Sequence, residues 1–266
     1  MKPRQQSNHY VAYNIGIRSE IALPALAPAP AGDDFQVRLC ATSRPVESRS
    51  IDWRGLAEAR FLYPGLARFV VRGGRELVVT PDPRGDRTIL HLYIQGMMLA
   101  SALHQRGLFV LRASVVAIEG RAVAFMGPVG IGKSTFAAAF RALGHKIVAD
   151  DNAALEFVGA SPRVLPAFPS LPVPFHCIYV LDRQAPGPPS RISPIETVKE
   201  LIRHSVPTRW GVSGDGRHLK MCTRLANMVP LFRVRTFREL HEIRPMARVI
   251  EAHALSGSAR TSTSTA

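Results

Sequence analysis

The residues Gly127-Pro128-Val129-Gly130-Ile131-Gly132-Lys133-Ser134-Thr135 read GPVGIGKST. A glycine, four residues, then Gly-Lys-Ser is the pattern of a phosphate-binding loop. Glycines let backbone N–H groups turn inward around phosphate oxygens, Lys133 brings a point charge to the β and γ phosphates, and Ser134 offers its hydroxyl to Mg²⁺. A helix that starts here adds its positive N-terminal end to the same site. The whole of Gly127–Thr135 is therefore expected to line a nucleoside triphosphate.

Downstream, HKIVADDNAAL carries the adjacent acids Asp150 and Asp151. Phosphoryl transfer to a hydroxyl needs oxygen ligands for the metal and a base for the departing proton. The acids end a short apolar run, expected as a strand beside the one that feeds the loop, and ligand sites gather at such strand ends. One carboxylate can hold the metal while the other faces an acceptor. Adjacent acids also raise each other's proton affinity, which suits proton transfer. The pair equally fits a plain arrangement with one acid on Mg²⁺ and the other capping a turn. Asp182, at the end of CIYVLD, is a rival of lower rank. Lys199, Arg203 and Arg209 are candidate clamps on phosphate oxygens. His145 and His204 lie near these elements, although a lone histidine is more often structural.

The elements that must position these residues follow from the pattern. LFVLRASVVAIEGRAVAFMG is β-rich on both sides of a turn at Glu119-Gly120, so the loop ends the second arm of a tight hairpin. STFAAAFRALGH is a helix stopped by Gly144. AALEFVG, CIYVLD and NMVPLFRVRT read as further strands, with the proline-dense SPRVLPAFPSLPVPF between the first two read as loop. SPIETVKELIRHSV is a helix with Ser193 as N-cap, Pro194 at its first position and Glu196 completing a capping box. Upstream, Ile21–Asp34 reads as an extended Ala/Pro linker and FQVRLCA as a strand. Ala67–Pro83 reads as a hairpin turning at Gly73-Gly74. Leu90, Ile94, Met97, Met98 and Leu103 recur at helical intervals before Gly107, with the methionines as core filler. The expected organisation is a β-rich region over 1–86, a nucleotide-binding domain over 87–254, and a disordered tail over 255–266.

The 266 residues are 46% hydrophobic, enough for a real core. Cys40, Cys177 and Cys222 form no metal pattern and no disulfide framework, which fits a reducing, cytoplasmic setting. The N-terminus has no apolar run of signal-peptide length, and no stretch is apolar enough to span a membrane. The net charge of +14 draws anions such as nucleotide phosphates or an acidic peptide, or reflects arginine-rich codon usage. The arginines are scattered without aromatic interleaving, which points away from nucleic acid.

The order of hairpin (RASVVAIEGRAVAF), loop (GPVGIGKST), helix ending LGH and then KIVADD resembles the kinase domain of HPr kinase/phosphorylase and the wider HPr-kinase-like group. That group shares its architecture with phosphoenolpyruvate carboxykinases. The likeness covers Phe109 to Leu155 and continues more loosely through CIYVL, TVKELIRHSV and VPLFRVR. It implies an α/β P-loop kinase domain preceded by a smaller β-rich region, and an ATP-dependent serine kinase using ATP and Mg²⁺. It implies Asp150 as the base that deprotonates the acceptor serine, Asp151 with Ser134 on the metal side, and Lys133 on the phosphates. The chain departs from true HPr kinases in having Arg112 where relatives often carry His and Thr135 where they carry Glu. It also lacks the later glycine-rich signature. These departures point away from HPr as acceptor and from reverse phosphorolysis. The branch encoded with lasso peptide enzymes, which phosphorylates the C-terminal serine of a precursor peptide, is more similar. The alternatives are a kinase of a small metabolite and a non-catalytic ATP-binding regulatory protein. No nucleic-acid or membrane partner is expected, and a homo-oligomer is left open.

Overall fold

The computed structural model describes residues 7–41, 44–159, 161–212 and 214–256, with the side chain of Arg209 excepted. Beyond residue 256, the tail expected to be disordered lies outside the described residues. Contacts divide the chain into two units, Met1–Leu108 with Ala167–Ser170, and Phe109–Pro166 with Leu171–Ala266.

The first unit is built on one sheet. Its strands are β1 (Asn8–Ala12), β2 (Ile15–Ser19), β3 (Ala27–Pro28), β4 (Phe35–Leu39), β5 (Ser50–Arg54), β6 (Glu58–Tyr63), β7 (Ala67–Arg72) and β8 (Glu76–Pro81). They lie in the order β3-β1-β2-β4-β8-β7-β6-β5. Alternation along β6, β7 and β8 buries Phe61, Phe69 and Val79 in one cross-strand row. The β7–β8 turn is Gly73-Gly74, as expected, with φ of 53° and 65°.

Helix α1 (Leu90–Tyr93), a wide turn over Ile94–Met98 and helix α2 (Leu99–Gln105) follow. The expected boundary at 86/87 would assign this segment to the nucleotide-binding domain, but its contacts place it in the first unit. Tyr93 stacks on Phe69 at 6.2 Å. The Gln105 amide accepts from Gly74 N–H at 2.8 Å and donates to Val71 O at 3.2 Å. A buried apolar helix face stays with the sheet that covers it.

The second unit is a mixed sheet with helices. Its strands are β9 (Phe109–Leu111), β10 (Ala113–Ile118), β11 (Arg121–Met126), β12 (Lys146–Ala149), β13 (Ala153–Val158), β14 (Ser161–Leu165), β15 (Val173–Asp182), β16 (Ser190–Arg191) and β17 (Leu231–Arg235). Its helices are α3 (Lys133–Ala142), α4 (Pro194–His204), α5 (Gly216–Met228) and α6 (Ile243–Leu255). β10 and β11 form the expected hairpin, with Glu119 and Gly120 at φ 46° and 72°. β11 runs parallel to β15, and β15 parallel to β17. Phe125, Phe136, Phe140, Tyr179 and Phe232 pack with Ala247 and Ile250 in one core. The near-continuous apolar run of β11 follows from burial on both faces.

Two expectations are corrected here. β12 does not lie beside β11. It pairs with β10, because β10 holds one edge of β11 through the tight turn and β15 holds the other. Since β10 is antiparallel to both neighbours, β12 still points the same way as β11 and ends on the same side of the sheet. The proline-dense segment is also not all loop. Ser161–Leu165 forms β14 against β13, and Val173 already belongs to β15. Pro162 lies outside the short pairing of β14 with β15, so its missing N–H interrupts no bond on that side.

Candidate functional site

The chain leaves β11 at Met126, turns through the loop and enters α3 at Lys133. Gly132 sits at φ 105°, and a Cβ there would lie 2.6 Å from the Phe237 ring, so both conformation and space demand glycine. Thr236 donates its hydroxyl to Ile131 O at 2.9 Å and fixes the loop to the end of β17. Lys133 is buried, and its ammonium donates to Gly127 O at 3.0 Å and Pro128 O at 2.8 Å. Val129 is exposed at the tip.

Asp150 follows β12 directly and reaches the loop. Its Oδ1 accepts from Ser134 Oγ at 3.0 Å, Ser114 Oγ at 2.5 Å and the Asp151 N–H at 3.1 Å. Among the described residues, all three bonds fall on this one oxygen and none on Oδ2. Asp151 has φ 66° and pairs with Arg112 Nε at 3.2 Å. The Arg112 N–H donates to His204 O at 2.7 Å, which ties the acid turn to the end of α4. The sheet order that moved β12 away from β11 puts Ser114 of β10 between the loop and the acids. Ser114 belongs to no motif of the sequence.

Mg²⁺ takes oxygen ligands, commonly one or two carboxylates together with phosphate oxygens and water. Ser134 Oγ at the loop and the carboxylate of Asp151, the residue after the Asp150 that bonds Ser134, are oxygen donors of the kind this ion takes.

On the other flank, a cavity of about 350 Å³ is lined by Pro128 and Ile131 of the loop, Asp182 at the end of β15, Arg233 of β17, and Glu200 and His204 of α4. Ser193 caps α4 by accepting from the Glu196 N–H at 3.3 Å. The Glu196 carboxylate bonds the Ser193 hydroxyl, rather than the N-cap N–H that a full capping box requires. Buried Glu200 accepts from Arg203 at 3.1 Å and lies 3.4 Å from His204 Nε2 and 3.8 Å from Arg233. The hydrogen bond from His204, then the charges of Arg203, His204 and Arg233, hold its carboxyl below the usual range against the effect of burial.

The candidates fall into two groups linked by the Arg112–His204 backbone bond. Lys133, Ser134, Asp150, Asp151 and Arg112 form one connected group, and Arg203, His204 and Asp182 meet in the cavity. Asp182 Oδ1 accepts from Gln184 N–H at 2.9 Å, a turn at the strand end. Lys199 is exposed and does not line the cavity. His145 lies beyond the far end of α3 and bonds Glu251 of α6 at 2.6 Å, a link between helices. The Arg209 side chain lies outside the described residues. Glu200 and Arg233 were missed because neither belongs to a motif. Their signal is the apposition of a helix and a strand end. Cys177 and Cys222 are buried, and burial pushes both thiols up to about 12.

No family model matches the sequence. No curated protein matches it. Solved structures resemble the chain only at a distance, and one of them is the Hpr(Ser) kinase/phosphatase from Coxiella burnetii, with 15% identity and a TM-score of 0.34, covering 55% of this chain and 99% of its own. Among the described residues, no helix is long and apolar enough to cross a membrane.

Proposed function

We propose that the chain is an ATP-dependent kinase that transfers the γ-phosphoryl group to a serine hydroxyl of a peptide or small protein. The observation that carries this reading is the bond between Ser134 of the phosphate loop and Asp150. It joins the group that would face the metal and phosphates to a carboxylate whose Oδ2 takes no hydrogen bond from the described residues. ATP would supply the phosphoryl group, and Mg²⁺ at Ser134 and Asp151 would offset the charge on its oxygens. Lys133 would exchange its two loop carbonyls for β and γ phosphate oxygens. Asp150 Oδ2 would accept the proton of the serine as its Oγ bonds phosphorus and the bond to the departing ADP breaks. Ser114 and the Asp151 N–H hold that carboxylate in place. Asp151, steered by Arg112, would support the metal side. The C-terminal serine of a lasso precursor peptide is the specific acceptor we favour, and Arg203 supplies positive charge beside the loop.

The test is incubation of the protein with γ-labelled ATP, Mg²⁺ and a panel of serine peptides. Label in a peptide, mapped to serine, is the expected result. Nucleotide binding with no transfer to any acceptor would favour a regulatory switch, and transfer confined to small hydroxyl metabolites would favour a metabolite kinase.

A further inference from the structure

We propose that the cavity between the loop and α4 seats a carboxylate of the phosphoryl acceptor, held by Arg233 and Arg203. This deepens the kinase reading and rests on it, because it gives the cavity to the acceptor.

Three observations lead there. The first is position. Pro128 and Ile131 make one wall of the cavity, so whatever fills it lies against the phosphate loop. The second is the state of Arg233. Its nearest anions, Asp182 and Glu200, are 3.7 Å and 3.8 Å away, beyond hydrogen-bond reach. Its Nε faces Asp182 at 3.7 Å and makes no hydrogen bond among the described residues, while the side chain as a whole is 30% exposed. A guanidinium held only by long ion pairs keeps its exposed N–H groups available, and a carboxylate offers oxygens that match them. The third is charge. Arg183, Arg203 and Arg233 line the cavity against Asp182 and Glu200, so positive charge is left over even with His204 neutral. Glu200 already bonds Arg203 and lies against His204, which leaves it unsuited as a proton acceptor and suited to hold the cations in place.

The carboxylate has two sources, the end of the acceptor chain or an Asp or Glu side chain near the serine. Fluorescent peptides separate them: serine at a free C-terminus, the same peptide amidated, an internal serine beside Asp, and a neutral internal serine. Each is titrated against the full chain with a non-hydrolysable ATP analogue. At least one carboxylate peptide is expected to bind about tenfold or more tighter than the neutral one, the size of one charge-assisted hydrogen bond. Preference for the free terminus assigns the chain end, and preference for Asp assigns the side chain. Arg233→Gln should remove the preference while leaving nucleotide affinity within about twofold. Arg203→Gln, whose side chain is 67% exposed and therefore safe to change, should weaken it in the same direction. Equal binding of all peptides, binding of none, or loss of nucleotide affinity in Arg233→Gln would overturn the assignment. Carboxylate preference without label transfer would sink the kinase reading alone, and transfer that ignores the carboxylate would sink the cavity assignment alone.

Discussion

Two carboxylates flank the Gly127–Ser134 loop in opposite surroundings. Among the described residues, Asp150 is met by the Ser114 and Ser134 hydroxyls and an amide N–H, all on one oxygen. Glu200 is ringed by Arg203, His204 and Arg233. Hydroxyls and an N–H fix the direction of the Asp150 carboxylate, whereas the cations around Glu200 hold its carboxyl below the usual range. The proposed proton transfer falls to the carboxylate without a bonded cation among the described residues, and the one ringed by cations is left to scaffolding. The charge-bearing side is also the one with a cavity, and the hydroxyl side is the one joined to the loop serine.

The contrast can be broken or sharpened by substitution. The largest effect short of the base itself is expected at Lys133. Lys133→Ala should lower nucleotide affinity by about tenfold to a hundredfold, the range of hydrogen bonds to charged groups, read by titration with labelled ATP. Glu200→Gln should instead act on stability, lowering it by about 1–3 kcal/mol at neutral pH through lost charged hydrogen bonds. The sign of its pH dependence follows from the lowered carboxyl. The contribution is present above the unfolded-state value and is lost as pH falls through the folded one. Denaturant curves of wild type and Glu200→Gln should therefore converge at acid pH. A gap that persists there would show that the charge of Glu200 is not what stabilises the cavity wall. The smallest effect is expected at Ser114. Ser114→Ala removes one of three bonds on Asp150 Oδ1 and should slow transfer by about threefold to tenfold with nucleotide affinity unchanged. An equal loss of affinity would place Ser114 in binding.

How much of this was legible in the sequence depended on range. The loop, the Glu119-Gly120 and Gly73-Gly74 turns and the Ser193 cap are encoded within a few residues and were readable as such. The Asp150 site was half legible. The acids stood out, but Ser114 joins them only because β12 pairs with β10, a choice set by which sheet edges remain free. Glu200 and Arg233 were illegible for the same reason, since a helix residue and a strand residue meet across the fold. Prolines hid β14, because the pairing that tolerates Pro162 exists only in the folded sheet. The segment 87–105 was read correctly as helix and assigned to the wrong unit, since periodicity shows an apolar face but not the surface that covers it.

The most direct measurement is a single-turnover transfer assay on Asp150→Asn at saturating nucleotide, with nucleotide affinity measured on the same preparation. If Asp150 takes the acceptor proton, transfer falls by about a hundredfold to ten-thousandfold while affinity changes little, the range for removing a general base. Transfer at the wild-type rate by a fully loaded Asp150→Asn protein would contradict the account.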